Sequence, residues 1–169
     1  MTLARRITSV FTAGLAVGVL AGLALGVIWA RMAPRVPLVV GPDTARPDGF
    51  QPAGYLAADV TFGALAIVAG IAIAVGLVRM RREHLLSVLG ASLLAGAVGT
   101  ALMWFVGEHL GAVDIEGLSA TLTQETVVDA PLRLSMPAVA LLWPIASTLV
   151  VVVLAGLDAW REIRDEQDD

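Results

Sequence analysis

Four long uncharged segments dominate the pattern of apolar and polar positions along the chain. They run from Ile7 to Ala30, from Val60 to Val78, from Leu85 to Gly107 and from Leu134 to Leu157. A helix needs roughly 20 apolar residues to cross a bilayer. Because lipid offers the backbone no hydrogen-bond partner, each segment must satisfy its own N–H and C=O groups as a helix. The pattern predicts an all-α protein, a polytopic transmembrane four-helix bundle that forms one membrane domain over residues 1–169.

The composition agrees with a chain that is solvated by lipid. Hydrophobic residues make up 57% of the sequence, charged residues 15%, and the mean hydropathy is +0.82, whereas a soluble domain is usually about 25% charged. The first segment follows Arg5 and Arg6, as the apolar part of a signal peptide would. It is longer than the roughly 7–15 residues of such a part, so we expect a retained anchor.

The distribution of arginine predicts the orientation. With the N-terminus inside, seven arginines lie on the inner side, namely Arg5, Arg6, Arg79, Arg81, Arg82, Arg161 and Arg164, and four on the outer side, namely Arg31, Arg35, Arg46 and Arg133. Basic residues are in excess on the cytoplasmic side. We therefore expect a multi-pass plasma-membrane protein with both termini in the cytoplasm, outside loops at residues 31–59 and 108–133, and a cytoplasmic tail at residues 158–169.

Tryptophans and acidic residues add detail to this topology. Trp29, Trp104 and Trp143 are expected at the outer headgroup level and Trp160 at the inner one, because the indole ring prefers the interface between lipid and water. The acidic end of the tail is expected to be disordered.

Small residues predict close packing between helices. Gly14, Gly18, Gly22 and Gly26 are four residues apart and so lie on one face of span one, where a second helix can approach closely. Small residues of spans two and three, including Gly70, Gly96 and Gly99, offer complementary faces. The partner of the span-one face is left open between packing within the bundle, self-association and a foreign helix. In span four, Pro144 is expected to kink the helix.

Four ionisable residues are expected near the outer membrane face. Asp59 begins span two, Glu108 and His109 end span three, and Arg133 precedes span four. One interpretation is a metal, lipid-headgroup or substrate site, and the other is a salt-bridged ring that anchors the helix ends. We assign no metal ligand, no cofactor site and no catalytic residue, because no nucleophile–base set or phosphate-binding loop is recognisable.

The two outside loops contain short β-prone runs. These are Val36 to Val40, Thr126 to Val128 and Ala130 to Leu134. The loops could form a small extracytoplasmic β-element that caps the bundle.

Three short motifs carry a resemblance to a known family. Trp104-x-x-Gly107-Glu108-His109-Leu110-Gly111 ends span three, Ala130-Pro131-Leu132-Arg133-Leu134 follows the second outside loop, and Leu142-Trp143-Pro144 lies in span four. With the order of spans and loops, they resemble a family of small uncharacterised actinobacterial membrane proteins that is defined only as a domain of unknown function. The resemblance implies the plasma membrane of an actinobacterium and no catalytic residue; some such proteins are labelled transport-related.

The spans carry no ionisable residue near their centres, where pumps and ion-coupled transporters usually place such groups. The sequence therefore favours a protein that is not an enzyme, a membrane accessory, assembly or scaffold component. The alternatives are a transport-related, permease-like subunit and a ligand sensor that uses the outside loops. The expected partners are the lipid bilayer and other membrane proteins or a second copy of the chain. The net charge of −4 argues against nucleic acid.

Overall fold

The architecture is a four-helix bundle with a small β-sheet at one end. The computed structural model describes residues 3–42, 44–49, 52–80 and 85–168. Within them, the long helices are α1 (Leu3–Met32), α2 (Pro52–Met80), α3 (Leu85–Leu110) and α5 (Leu142–Asp168), and α4 (Ile115–Thr121) is a short helix between α3 and α5. Four helical segments are long and apolar enough to cross a membrane. The predicted fold class is confirmed, and the four helices fit a multi-pass integral membrane protein.

The start of α2 differs from the prediction. The helix begins at Pro52, eight residues before the predicted span, because proline at the first helical position gives up no hydrogen bond and the following residues are uncharged. Asp59 was expected to begin span two, and this is wrong: Asp59 lies two turns inside α2 and is 1% exposed.

The start and the end of span four also differ. A 3-10 helix, Pro137–Leu141, precedes α5, so the change from 3-10 to α-helix occurs before Pro144. Pro144 itself lies in the first turn of α5, where a missing N–H is tolerated. At the other end α5 continues to Asp168, so the prediction of a disordered tail is wrong for the described residues.

The sheet joins the two loops that were expected outside the membrane. Its strands are β1 (Pro37–Gly41), β2 (Thr44–Pro47) and β3 (Thr126–Asp129), in the order β2-β1-β3 with both pairs antiparallel. The predicted β-element is therefore confirmed, with Val39 paired to Arg46 on one side and to Val127 on the other. Strand β2 and helix α4 were not predicted, and the run Ala130 to Leu134 forms no strand.

The core has one cluster near each end of the bundle. At the sheet end, Trp29 and Phe62 meet edge to face with ring centroids 5.0 Å apart, and Met103 and Trp143 belong to the same cluster. At the other end, the buried residues include Val10, Leu77, Val88 and Val151. The side chains of Trp29 and Trp143, which were expected in the outer parts of their spans, are fully buried in the protein.

Candidate functional site at the sheet end of the bundle

The glycine face of α1 packs against α3. A β-carbon on Gly18 would lie 2.6 Å from the carbonyl oxygen of Ala95, and one on Gly22 would lie 2.8 Å from the Cα atom of Gly99. Gly14 faces Ala91, and Gly26 faces the turn of α3 that contains Met103. Of the options that the sequence left open, the structure has packing within the bundle, so this face is occupied by the chain itself.

The glycines of α2 and α3 make room for the start of α5. A β-carbon on Gly96 would lie 3.1 Å from Cδ1 of Trp143, and one on Gly99 would lie 2.8 Å from Cη2 of the same ring. A β-carbon on Gly70 would lie 2.7 Å from the carbonyl oxygen of Trp143. One turn later, the hydroxyl of Ser147 donates to the carbonyl oxygen of Gly70 over 3.2 Å. These glycines therefore fix α5 and its buried indole against α2 and α3.

The carboxylate of Asp59 holds the chain that leads into the 3-10 helix. The N–H of Ser135 donates to Oδ1 of Asp59 over 3.0 Å, and the N–H of Met136 donates to Oδ2 over 2.9 Å. Met136 is the residue that caps the start of the 3-10 helix, whose first residue is Pro137. The carboxylate therefore satisfies backbone N–H groups of the chain that immediately precedes the 3-10 helix.

Glu108 continues the same interaction by one residue. Its Oε1 accepts a hydrogen bond of 3.0 Å from the N–H of Leu134. Three consecutive backbone N–H groups, those of residues 134–136, are thus bound by two carboxylates from two different helices. We call this arrangement the carboxylate clamp: Asp59 of α2 and Glu108 of α3, with the backbone of residues 134–136 between them.

Trp29 ties α1 to the same region. Its Nε1–H donates to the carbonyl oxygen of Ala58 over 2.9 Å, next to Asp59 in the chain. The ring fits over Gly107, where a β-carbon would lie 2.6 Å from Cζ3 of the indole. The end of α1, the start of α2 and the end of α3 are therefore joined at one level with the clamp.

His109 and Arg133 lie outside the clamp. Both are exposed, and the His109 ring stacks on Phe105 with centroids 5.9 Å apart and planes 9° apart. Together with Glu108 they line a pocket of about 340 Å³. Asp59 does not line this pocket, so the four predicted residues do not form one site.

The clamp is built from hydrogen bonds to the backbone, not from ion pairs. Neither Asp59 nor Glu108 forms a salt bridge with a described residue, so the prediction of a salt-bridged ring is wrong there. Nor does the described part of the chain bring three His, Cys, Asp or Glu side chains together as metal ligands.

Sequence reasoning missed Arg35, which lines a second pocket together with Arg133. A role for Arg35 in a pocket is hard to predict from the sequence, because a single arginine just beyond a span is interpreted only as a marker of membrane topology. The role of Asp59 is easier to predict from the sequence, because this acidic residue follows seven uncharged residues that begin with a helix-starting proline.

A scan against family models, a search of curated proteins and a search of solved structures found no match for this chain.

Proposed function

We propose that the protein is a membrane accessory, assembly or scaffold component that is not an enzyme, set in a plasma membrane with both termini in the cytoplasm. The observation that carries the proposal is the carboxylate clamp. Asp59 and Glu108 accept hydrogen bonds from the backbone of residues 134–136. Carboxylates that accept these backbone hydrogen bonds stabilise the fold and position the sheet on the bundle.

The surface left for a partner is then the sheet. The glycine face of α1 is occupied by α3, whereas β3 lies at the edge of the sheet. The N–H of Ala130 donates to the carbonyl oxygen of Val36 over 2.8 Å. Since hydrogen-bonded and open pairs alternate in an antiparallel ladder, Val127 and Asp129 direct their N–H and C=O groups away from β1. An extended segment of a partner protein can add to such an edge.

The test is affinity purification of the full-length chain from its native membranes in a mild detergent, with quantitative mass spectrometry of what is retained. We expect a stoichiometric protein partner with the wild type and with Val127→Thr, which keeps the outward N–H. Val127→Pro removes that N–H at an edge position where proline is tolerated, and we expect it to lose the partner. A homogeneous monomer without any partner would contradict the proposal.

A second candidate is a transport-related subunit, which one observation favours. The hydroxyls of Ser92 and Thr100 on α3, and the indole N–H of Trp143, are buried without a hydrogen-bond partner among the described residues. A polar solute that passed through the bundle would satisfy such groups, which are costly when left unpaired. Solute flux into proteoliposomes that is lost in Ser92→Ala with Thr100→Val would favour this function over the first.

A further inference from the structure

A pocket of about 390 Å³ lies where the chain after α1, the start of α2 and the chain after β3 meet. Its wall is mainly apolar and includes Val36, Leu38, Leu132 and Leu134. The charged side chains in its lining are Arg35 and Arg133, and no carboxylate of the described residues joins them. The pocket is therefore apolar with a cationic pair.

Both guanidinium groups have N–H donors that are not used within the described part of the chain. Arg35 donates one N–H to the carbonyl oxygen of Ala30 over 3.0 Å, and an arginine carries five such N–H groups. Arg133 is exposed and makes no hydrogen bond or ion pair with a described residue. The backbone N–H groups of Leu134 and Ser135 already donate to the carboxylates of the clamp. An anion in this pocket would therefore be bound by the two arginine side chains.

The position of the pocket along the helices indicates which kind of anion it would meet. The apolar part of α1 ends at Met32 and that of α2 begins at Leu56, so the pocket lies at the level where these helices leave the apolar layer. Phosphate groups of lipids are found at this level, and arginine binds phosphate through paired N–H groups.

We propose that this pocket binds the headgroup of one anionic phospholipid, with the lipid phosphate held between Arg35 and Arg133. A volume of about 390 Å³ is at the small end of ligand pockets, which measure about 300–1,000 Å³. We therefore assign to it the headgroup and the glycerol, with the ester-linked start of an acyl chain against the apolar wall at Leu38, and place the rest of the acyl chains outside. This site does not depend on the proposed function, because it requires no protein partner.

The experiment is lipid competition on the purified full-length chain in a mild detergent. Phosphatidylglycerol and phosphatidylcholine are added in equal amounts, and native mass spectrometry counts the lipids that each chain retains. We expect one phosphatidylglycerol per chain in preference to phosphatidylcholine. Arg133→Gln is the main variant, because Arg133 has no hydrogen-bond or ion-pair partner among the described residues, and we expect it to lower that preference about fivefold.

The matched control is Arg31→Gln, which removes one positive charge from an exposed residue in the last turn of α1 that does not line the pocket. We expect it to keep the preference, and Arg35→Gln combined with Arg133→Gln to abolish it. Equal retention of the two lipids by the wild type overturns the proposal, as does an equal loss in Arg31→Gln, which would indicate diffuse surface charge. Displacement of the lipid by glycerol phosphate alone would assign the site to a soluble anion instead.

Discussion

The indole ring of Trp29 lies directly over the backbone of Gly107, and the two residues leave no space for a β-carbon between them. The contact orients the ring so that its Nε1–H reaches the carbonyl oxygen of Ala58 in a third helix. A glycine on α3 thus determines how α1 is attached to α2.

Gly107→Ala is expected to displace this ring. The new methyl group would overlap the indole, and a ring that moves away also loses its hydrogen bond to Ala58. Overpacking and a lost buried hydrogen bond together should lower the free energy of unfolding by about 3 kcal/mol. Tryptophan fluorescence of the detergent-solubilised protein, followed during thermal or denaturant unfolding, measures the change.

The control for this substitution is Gly76→Ala. A β-carbon on Gly76 would meet no atom within 4 Å, so the alanine should be neutral or stabilise α2 by up to about 1 kcal/mol. Equal stability of Gly107→Ala and Gly76→Ala would rule out the proposed fit between Trp29 and Gly107.

The glycine face of α1 should respond to alanine in a graded way. A β-carbon on Gly14 would approach Ala91 to 3.3 Å, which a small shift relieves, whereas one on Gly18 would lie 2.6 Å from a backbone oxygen of α3. Backbone atoms cannot move aside as a side chain can. We expect Gly18→Ala and Gly22→Ala each to cost about 1–3 kcal/mol, and Gly14→Ala clearly less.

Unfolding of the three variants in the same detergent tests this order. If all three proteins unfold like the wild type while their oligomeric state changes, the glycine face contacts another chain and not α3. A uniform loss at all three positions would instead indicate that alanine disturbs α1 itself.

The two carboxylates of the clamp should differ in their tolerance of an amide. Both oxygens of Asp59 accept hydrogen bonds, so Asp59→Asn places an NH2 group against a backbone N–H and leaves that part-buried donor unsatisfied. The cost should be about 1–3 kcal/mol. Glu108 accepts through one oxygen only, and Glu108→Gln can keep that bond through its amide oxygen.

Hydrogen exchange at the amides of residues 134–136 measures the clamp directly. We expect faster exchange at Ser135 and Met136 in Asp59→Asn and little change in Glu108→Gln. Glu116→Gln, an exposed substitution in α4, is the control for the loss of a negative charge. Unchanged exchange in Asp59→Asn would show that the clamp does not hold the chain in solution.

The sequence predicts the four spans and the glycine face because each follows from a local rule. Lipid requires uninterrupted apolar helices, and residues four apart share a helix face. The clamp follows from no such rule, since Asp59 is separated from its partners Ser135 and Met136 by 76 and 77 residues. No spacing in the chain encodes that contact.

The environments of the tryptophan side chains were also beyond what local sequence rules can predict. The tendency of indole rings to lie at the interface does not predict which rings the protein itself encloses. Gly107 provides the space for Trp29, and Gly96 and Gly99 provide it for Trp143. Strand β2 was missed because its run, Thr44–Pro47, lacks alternating apolar residues and forms a strand only through its pairing with β1.

The proposed orientation can be tested with single cysteines, because the natural sequence contains none. Gln124→Cys lies in the exposed chain before β3, and Asp165→Cys lies in an exposed turn near the end of α5. We expect the α5 end to lie in the cytoplasm, because arginine is in excess at that end. In intact cells we expect a membrane-impermeant maleimide to label the cysteine at position 124 and to reach position 165 only after permeabilisation. The cysteine-free parent is the control for background labelling. Labelling of position 165 alone in intact cells would invert the topology, place the sheet in the cytoplasm, and move the search for partners to cytoplasmic proteins.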